Sequence, residues 1–206
     1  MTQKNEDQLE VVPEYVADDI GVPFKVVLVN SVKRLIDAET GEVKKVIIPN
    51  FRGLIECIAI ARILDPRKLS GDEIKFIRKA FKFPAKKIAE MIDVSPEHLS
   101  RCEAGERTLS AGAEKCLRAS IFLDSHEKLQ KINDECDPDD QLKEKSALLM
   151  DVLHKISLII KERNITPAFD PKPLEMRFFV TSKNEEDLFE DDVNADWSSK
   201  DQALAA

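Results

Sequence analysis

Lys86-Lys87-Ile88-Ala89-Glu90-Met91-Ile92-Asp93-Val94-Ser95-Pro96-Glu97-His98-Leu99-Ser100-Arg101 holds two short helical patterns with one tight turn between them. Ile88 and Ile92 are apolar on the inner side of the first pattern, and Ala89 is small where a second helix must cross closely. Asp93 stands at the turn, where Gly fits best but Asp tolerates the left-handed region better than most residues. Ser95-Pro96 supplies an N-cap and a first helical residue to the second pattern. Val94 and Leu99 return to the core, which leaves Pro96, Glu97, His98, Ser100 and Arg101 facing outward. A short polar face at a helix N-terminus is what a DNA major groove admits.

Outward from this pair the punctuation stays dense. Helices are predicted over 71–81, 85–92, 96–104 and 111–122. Ser70-Gly71-Asp72-Glu73 reads as a capping box for the first, Pro84 suits the start of the second, and Ser110 caps the fourth. Upstream, Asn50 caps a helix that runs to Leu64 with Leu54, Ile55, Ile58 and Ala61 on one face, and Asp65-Pro66 breaks it. The β-branched runs 24–36 and 43–48 flank a polar linker ending near Gly41 and predict a hairpin. Downstream, Leu142, Leu149 and Ile156 recur seven apart, with Val152, Leu153, Ile159 and Ile160 on the same face, which predicts a helix over 139–162. Residues 174–180 read as one strand.

These elements predict a mainly α fold with a small β part. An acidic leader, 1–20, carries six acids and one lysine and is expected to be loose. Residues 21–66 form a hairpin-and-helix domain, 67–123 a helical domain, and 124–182 a helical extension. The tail, 183–206, has eight acids against one lysine after Lys183 and is expected to be disordered.

Charge and composition narrow the function. The net charge of −8 by itself speaks against nucleic acid. Its distribution speaks the other way: residues 67–118 hold 12 Lys or Arg and 8 Asp or Glu, a net +4, so the remainder carries −12. A basic middle between acidic ends fits a DNA-binding module with attachments, although a window of this size also fluctuates by a few charges. No run of apolar residues is long enough for a membrane span, and the polar N-terminus is unlike a secretory signal. Cys57, Cys102, Cys116 and Cys136 contain no C-x-x-C pair, which fits reduced thiols and a cytoplasmic setting. His98, His126 and His154 lie far apart, and no phosphate loop or nucleophile elbow is present, so no enzyme is expected. Cys102 follows Arg101, which lowers a thiol pKa if the thiol is exposed; the other reading makes it a core residue.

Ile88-Ala89-Glu90, the Val94-Ser95 start, Leu99-Ser100-Arg101 and the following Glu103-Ala104-Gly105-Glu106-Arg107 resemble the xenobiotic-response-element family of helix-turn-helix regulators, the class of the lambda and Cro repressors. The family usually has Gln where Ala85 stands, Gly where Asp93 stands and Trp where Cys102 stands. The resemblance implies a five-helix-type domain over 67–123 that reads double-stranded DNA as a transcriptional regulator, with the 96–104 helix in the major groove. The wider layout, a hairpin, Ile48-Pro49 with a helix, then Arg67-Lys68-Leu69-Ser70 leading into the repressor-like domain, is similar to the antitoxin family with an N-terminal zinc ribbon. In that family the hairpin carries cysteine knuckles. Here the 37–42 turn has none, so neither structural zinc nor another cofactor is expected.

Base reading is assigned to Glu97, His98 and Arg101, with Ser100 a base or phosphate contact. Phosphate contacts are assigned to Lys86, Lys87, Ser95 and Arg107. Each has a plainer alternative: the lysines as solvated charges, Arg101 paired with Glu97 at i, i+4, and Arg107 holding the following loop. Twofold pairing over a palindromic operator is the usual way for one such domain to gain specificity, so a homodimer is expected. Leu142, Leu149, Val152, Leu153, Ile156 and Ile160 are the candidate seam, and equally a stripe packed into its own domain. The competing function is an antitoxin or other interaction module that binds a partner protein. In a third reading the helix-turn-helix is only a structural remnant.

Overall fold

Val, Leu and Ile dominate the runs that form the expected hairpin, yet these two strands belong to a larger sheet. The computed structural model describes residues 8–132, 154, 173–181 and 196–199, without the side chains of 126–132. Its elements, in order, are β1 (Gln8–Val16), β2 (Lys25–Ile36), β3 (Val43–Ile47), α1 (Phe51–Leu64), α2 (Gly71–Ala80), α3 (Ala85–Met91), α4 (Pro96–Glu103), α5 (Ala111–Ile132), β4 (Glu175–Thr181) and β5 (Asp196–Ser199). Among the described residues, five helices accompany a five-stranded mixed sheet, so the fold is α/β and the expectation of a mainly α fold is corrected. The chain divides into two compact units, Met1–Ala61 with Pro171–Ala206, and Arg62–Asp170. The expected 139–162 helix, with the candidate seam residues Leu142, Leu149, Val152, Leu153, Ile156 and Ile160, lies outside the described residues.

In the first unit the sheet order is β1-β2-β4-β5, with β3 also paired to β2. β1 is a strand where a loose leader is expected. Its acids explain the mismatch: Glu10 and Glu14 are exposed on an edge strand, and Glu14 accepts from Arg177 Nη1 at 2.6 Å. Leu9, Val11, Val12, Tyr15 and Val16 supply the strand-forming residues between them. Pro13 is tolerated because an edge strand has one unpaired side. The register shifts between Val12 and Glu14, opposite Asn30, whose φ of 51° marks the irregularity in β2. Val26, Val27 and Leu28 are buried consecutively because β2 there lies between β1 and β4.

β4 pairs with β2 in parallel, Lys25 opposite Glu175 and Leu28 opposite Phe178. The Lys25 ammonium lies 2.7 Å from the Glu175 carboxylate. Met176 and Phe178 bury their side chains in the core of this unit. β5 also falls where disorder is expected, antiparallel to β4, and its Trp197 Nε1 donates to the Pro49 carbonyl at 3.1 Å. Asn50 caps α1 by accepting from the Gly53 amide at 3.0 Å. Cys57 lies 3.4 Å from the Trp197 carbonyl, and burial pushes its thiol up to about 12.

The second unit is organised by charges that carry no surface role. Arg62 is buried and donates through Nε and Nη2 to the two Glu73 oxygens at 2.6 and 3.0 Å. Glu73 also accepts from the Ser70 amide at 2.7 Å, while the Ser70 hydroxyl accepts from the Glu73 amide at 3.3 Å, completing the capping box. Arg118, equally buried, donates to Glu114 Oε1 at 3.2 and 2.8 Å and to the carbonyls of Ile63, Asp65 and Arg67. Glu114 accepts further from the Leu69 amide at 3.0 Å and from Lys68 Nζ at 3.1 Å. The two Arg–Glu pairs thus hold the 63–70 segment, satisfying carbonyls that a loop buried here would otherwise leave unpaired.

Candidate nucleic-acid interface

Three short helices lead up to the interface, and each ends by the same device. Lys82, Asp93 and Gly105 occupy the left-handed region with φ of 57°, 53° and 76°. After each, the chain returns two amides to the helix it has left. Phe83 N bonds Arg78 O and Lys82 N bonds Lys79 O; Val94 N bonds Ala89 O and Asp93 N bonds Glu90 O; Glu106 N bonds Arg101 O and Gly105 N bonds Cys102 O. These are Schellman closures, and they let α2, α3 and α4 follow one another with tight turns. The Asp93 position is therefore the one the sequence marks.

α4 is fixed from below. Its N-cap Ser95 accepts from the His98 amide at 3.1 Å, and Pro96 occupies the first turn. Leu99 and Cys102 are fully buried on its inner face, Ile88 and Ala89 are fully buried on α3, and the two helices pack on each other. Burial pushes the Cys102 thiol up, partly offset by the Arg107 and Lys68 charges, so Cys102 is a core residue and not a low-pKa thiol. Glu103, at the end of α4, receives a two-pronged bond from Arg78 of α2 at 2.6 and 2.8 Å, and Arg78 Nη1 also reaches the Phe83 carbonyl at 3.3 Å. Gly71 opens α2 directly under this end. A Cβ there would collide with the Cys102 carbonyl and lie 2.9 Å from the Gly105 amide nitrogen, so only glycine permits the approach.

The outer face of α4 carries Glu97, Ser100 and Arg101, all exposed. Among the described residues no ion pair joins Glu97 to Arg101, although their i, i+4 spacing would allow one. His98 is half-buried, with Nε2 3.7 Å from Cys102 Sγ, so part of its ring is turned along the helix. Ser95 is exposed, its oxygen already engaged as the cap. Lys86 is exposed on α3, its ammonium 3.9 Å from Glu90. Lys87 is more constrained: its ammonium lies 3.4 Å from Asp124 and 4.6 Å from the centre of the Phe83 ring. Arg107 is exposed beyond Gly105, with its amide on the Arg101 carbonyl at 3.2 Å.

Residues missed by sequence reasoning are those that set the charge of this unit. Four of the 12 bases in 67–118 are engaged by carboxylates in buried or half-buried pairs: Arg67 with Asp65, Lys68 and Arg118 with Glu114, and Arg78 with Glu103. Glu73, Glu103 and Glu114 are likewise committed. Lys86 and Lys87 are also paired, with Glu90 and Asp124, so the count of bases in this segment overstates the charge offered at the surface. One signal was readable: Arg62 interrupts the apolar run Ile58 to Ile63, and Glu114 and Arg118 stand at i, i+4.

Compared with family models, curated proteins and solved structures, the chain matches none. No helix among the described residues is long and apolar enough to cross a membrane.

Proposed function

We propose that the chain is a sequence-specific, double-stranded-DNA-binding transcriptional regulator of the lambda-repressor-like kind, acting as a repressor or autoregulator in the cytoplasm. α4 enters the major groove and α3 lies across the backbone. The observation that carries this reading is the tight α3–Asp93–α4 crossing with Glu97, Ser100 and Arg101 exposed on the face opposite the buried Leu99 and Cys102. The net +4 of residues 67–118 supports it. A homodimer on a palindromic operator is the assembly that gives such a module enough base pairs.

The test is fluorescence anisotropy of the full chain on tiled DNA from its own upstream region at several salt concentrations, with Arg101→Ala beside the wild type. Tight binding to one tile, lost in the variant and weakened by salt, is expected. Equal weak binding to every tile, or none, overturns the operator reading.

A second reading has its own observation. Leu9, Val11 and Val16 on β1 and Val43 and Val46 on β3 are exposed large apolar residues on strands that, among the described residues, pair on one side only. Such a surface favours a protein partner, as an antitoxin that neutralises a toxin would have. A small toxin-like reading frame beside this one, whose product co-purifies with the full chain but not with a Val11→Lys/Val16→Lys variant, is the discriminating result. The two readings are compatible.

A further inference from the structure

We propose that α4 reads a guanine through Arg101 and, one or two base steps away, a cytosine through Glu97; this specificity rests on the DNA-binding reading above. Arg101 has donors in a fixed fork and no acceptor, and only guanine presents two adjacent acceptors, O6 and N7, in the major groove. Glu97 as a carboxylate has acceptors only. Guanine and the thymine oxygen face it with acceptors, and adenine sets its N7 acceptor beside its amino donor. The cytosine N4 amino group faces it with donors alone.

Position on the helix supports the pairing. Both side chains are exposed, four residues apart on α4, which sets them about 6 Å apart along the helix axis. Successive bases along a strand lie about 3.4 Å apart, so the two side chains span one or two steps. Among the described residues neither charge is taken up by the other or by any neighbouring side chain, so both remain available for a base. Ser100 lies between them, but a hydroxyl that both donates and accepts discriminates little. His98 contributes less, since its Nε2 is turned to Cys102. The carboxylate has a second effect: at a site without a cytosine it faces base acceptors unpaired, which lowers affinity there.

The experiment is selection of randomised double-stranded DNA by the full chain, followed by sequencing, for the wild type, Glu97→Gln and Arg101→Ala, with thermal melts to show that both exposed variants fold. The wild-type motif should fix one guanine and one cytosine at constant spacing. Glu97→Gln should move the cytosine to adenine, the base Gln contacts by two bonds, and leave the guanine. Arg101→Ala should flatten the guanine and leave the cytosine. Exchanging either base in the selected site should weaken wild-type binding roughly 10-fold or more. A motif that binds tightly but is unchanged at these positions by both substitutions overturns the assignment while the DNA-binding reading stands. No enrichment and no binding by the wild type overturns both.

Discussion

Removing the Glu114 carboxylate should be among the most damaging single changes in the helical unit. Glu114 is fully buried and accepts from three donors, the Arg118 guanidinium, the Leu69 amide and the Lys68 ammonium. In Glu114→Ala the Arg118 charge stays where it is, because it is also bonded to the carbonyls of Ile63 and Arg67 at 2.7 Å. A buried cation without its partner costs about 3–5 kcal/mol. The orphaned Leu69 amide contributes in the same direction, but the terms are coupled and do not add in full. For a urea slope of about 2 kcal/mol per molar, the midpoint followed by ellipticity at 222 nm should fall by about 2 M. Glu114→Gln keeps the volume and one carbonyl acceptor, so its loss should be smaller. A loss below about 1 kcal/mol in Glu114→Ala, the size of an exposed pair, would refute the reasoning by showing that water or Glu73 compensates Arg118.

Lys82 is a long side chain held at φ 57°, so Lys82→Gly should raise stability by about 0.5–1 kcal/mol, the relief of left-handed strain less the extra freedom of glycine in the unfolded chain; a lower melting temperature would contradict this. Burial acts to raise the Asp65 carboxyl, but bonds from the Arg67 side chain and amide and the charges of Arg62 and Arg67 outweigh it, so the folded pKa is depressed. That stability is present above the unfolded value of about 3.9 and is lost as pH falls through the folded one, so Asp65→Asn should flatten the acid limb of urea stability below about pH 4; an unchanged limb would show that other carboxylates set it. On an operator fragment, Lys86→Ala should reduce the salt slope by about 1 while Lys87→Ala leaves it unchanged, because Asp124 and Phe83 already hold that ammonium. Equal slopes in the two variants would mean that Lys87 leaves Asp124 to reach a phosphate.

The helical unit was legible because its signals are local. A capping box at Ser70 and Glu73, Pro after Ser95, and Asp or Gly at helix ends all act within a few residues, and each lies where the structure uses it. The outer face of α4 was legible for the same reason, since Leu99 and Cys102 mark the inner face three residues apart. The sheet was legible as the hairpin strands and the strand at 174–180, but not in the order that joins them. β4 lies beside β2 through a pairing of Lys25 with Glu175, and nothing in either segment names a partner so distant in sequence. β1 was hidden by its acids, whose charge reads as disorder but which stand exposed on a strand that its apolar residues pair with β2.

Counting bases between Arg67 and Arg118 treats each as available to phosphate, yet Arg118 is buried against three carbonyls and Arg78 clamps Glu103 beneath α4. The internal pairs remove bases and acids alike, so the net charge of the segment does not say which bases face outward. What distinguishes Lys86, Arg101 and Arg107 from Arg78 and Arg118 is therefore not charge but depth, and depth follows from helix face. Arg118 returns to Glu114 one turn earlier on α5, toward the 63–70 segment, whereas Arg101 follows Ser100 on the side of α4 away from Leu99. A count by helix face would have left Arg101 with the bases and Arg118 with the core before any coordinates were known.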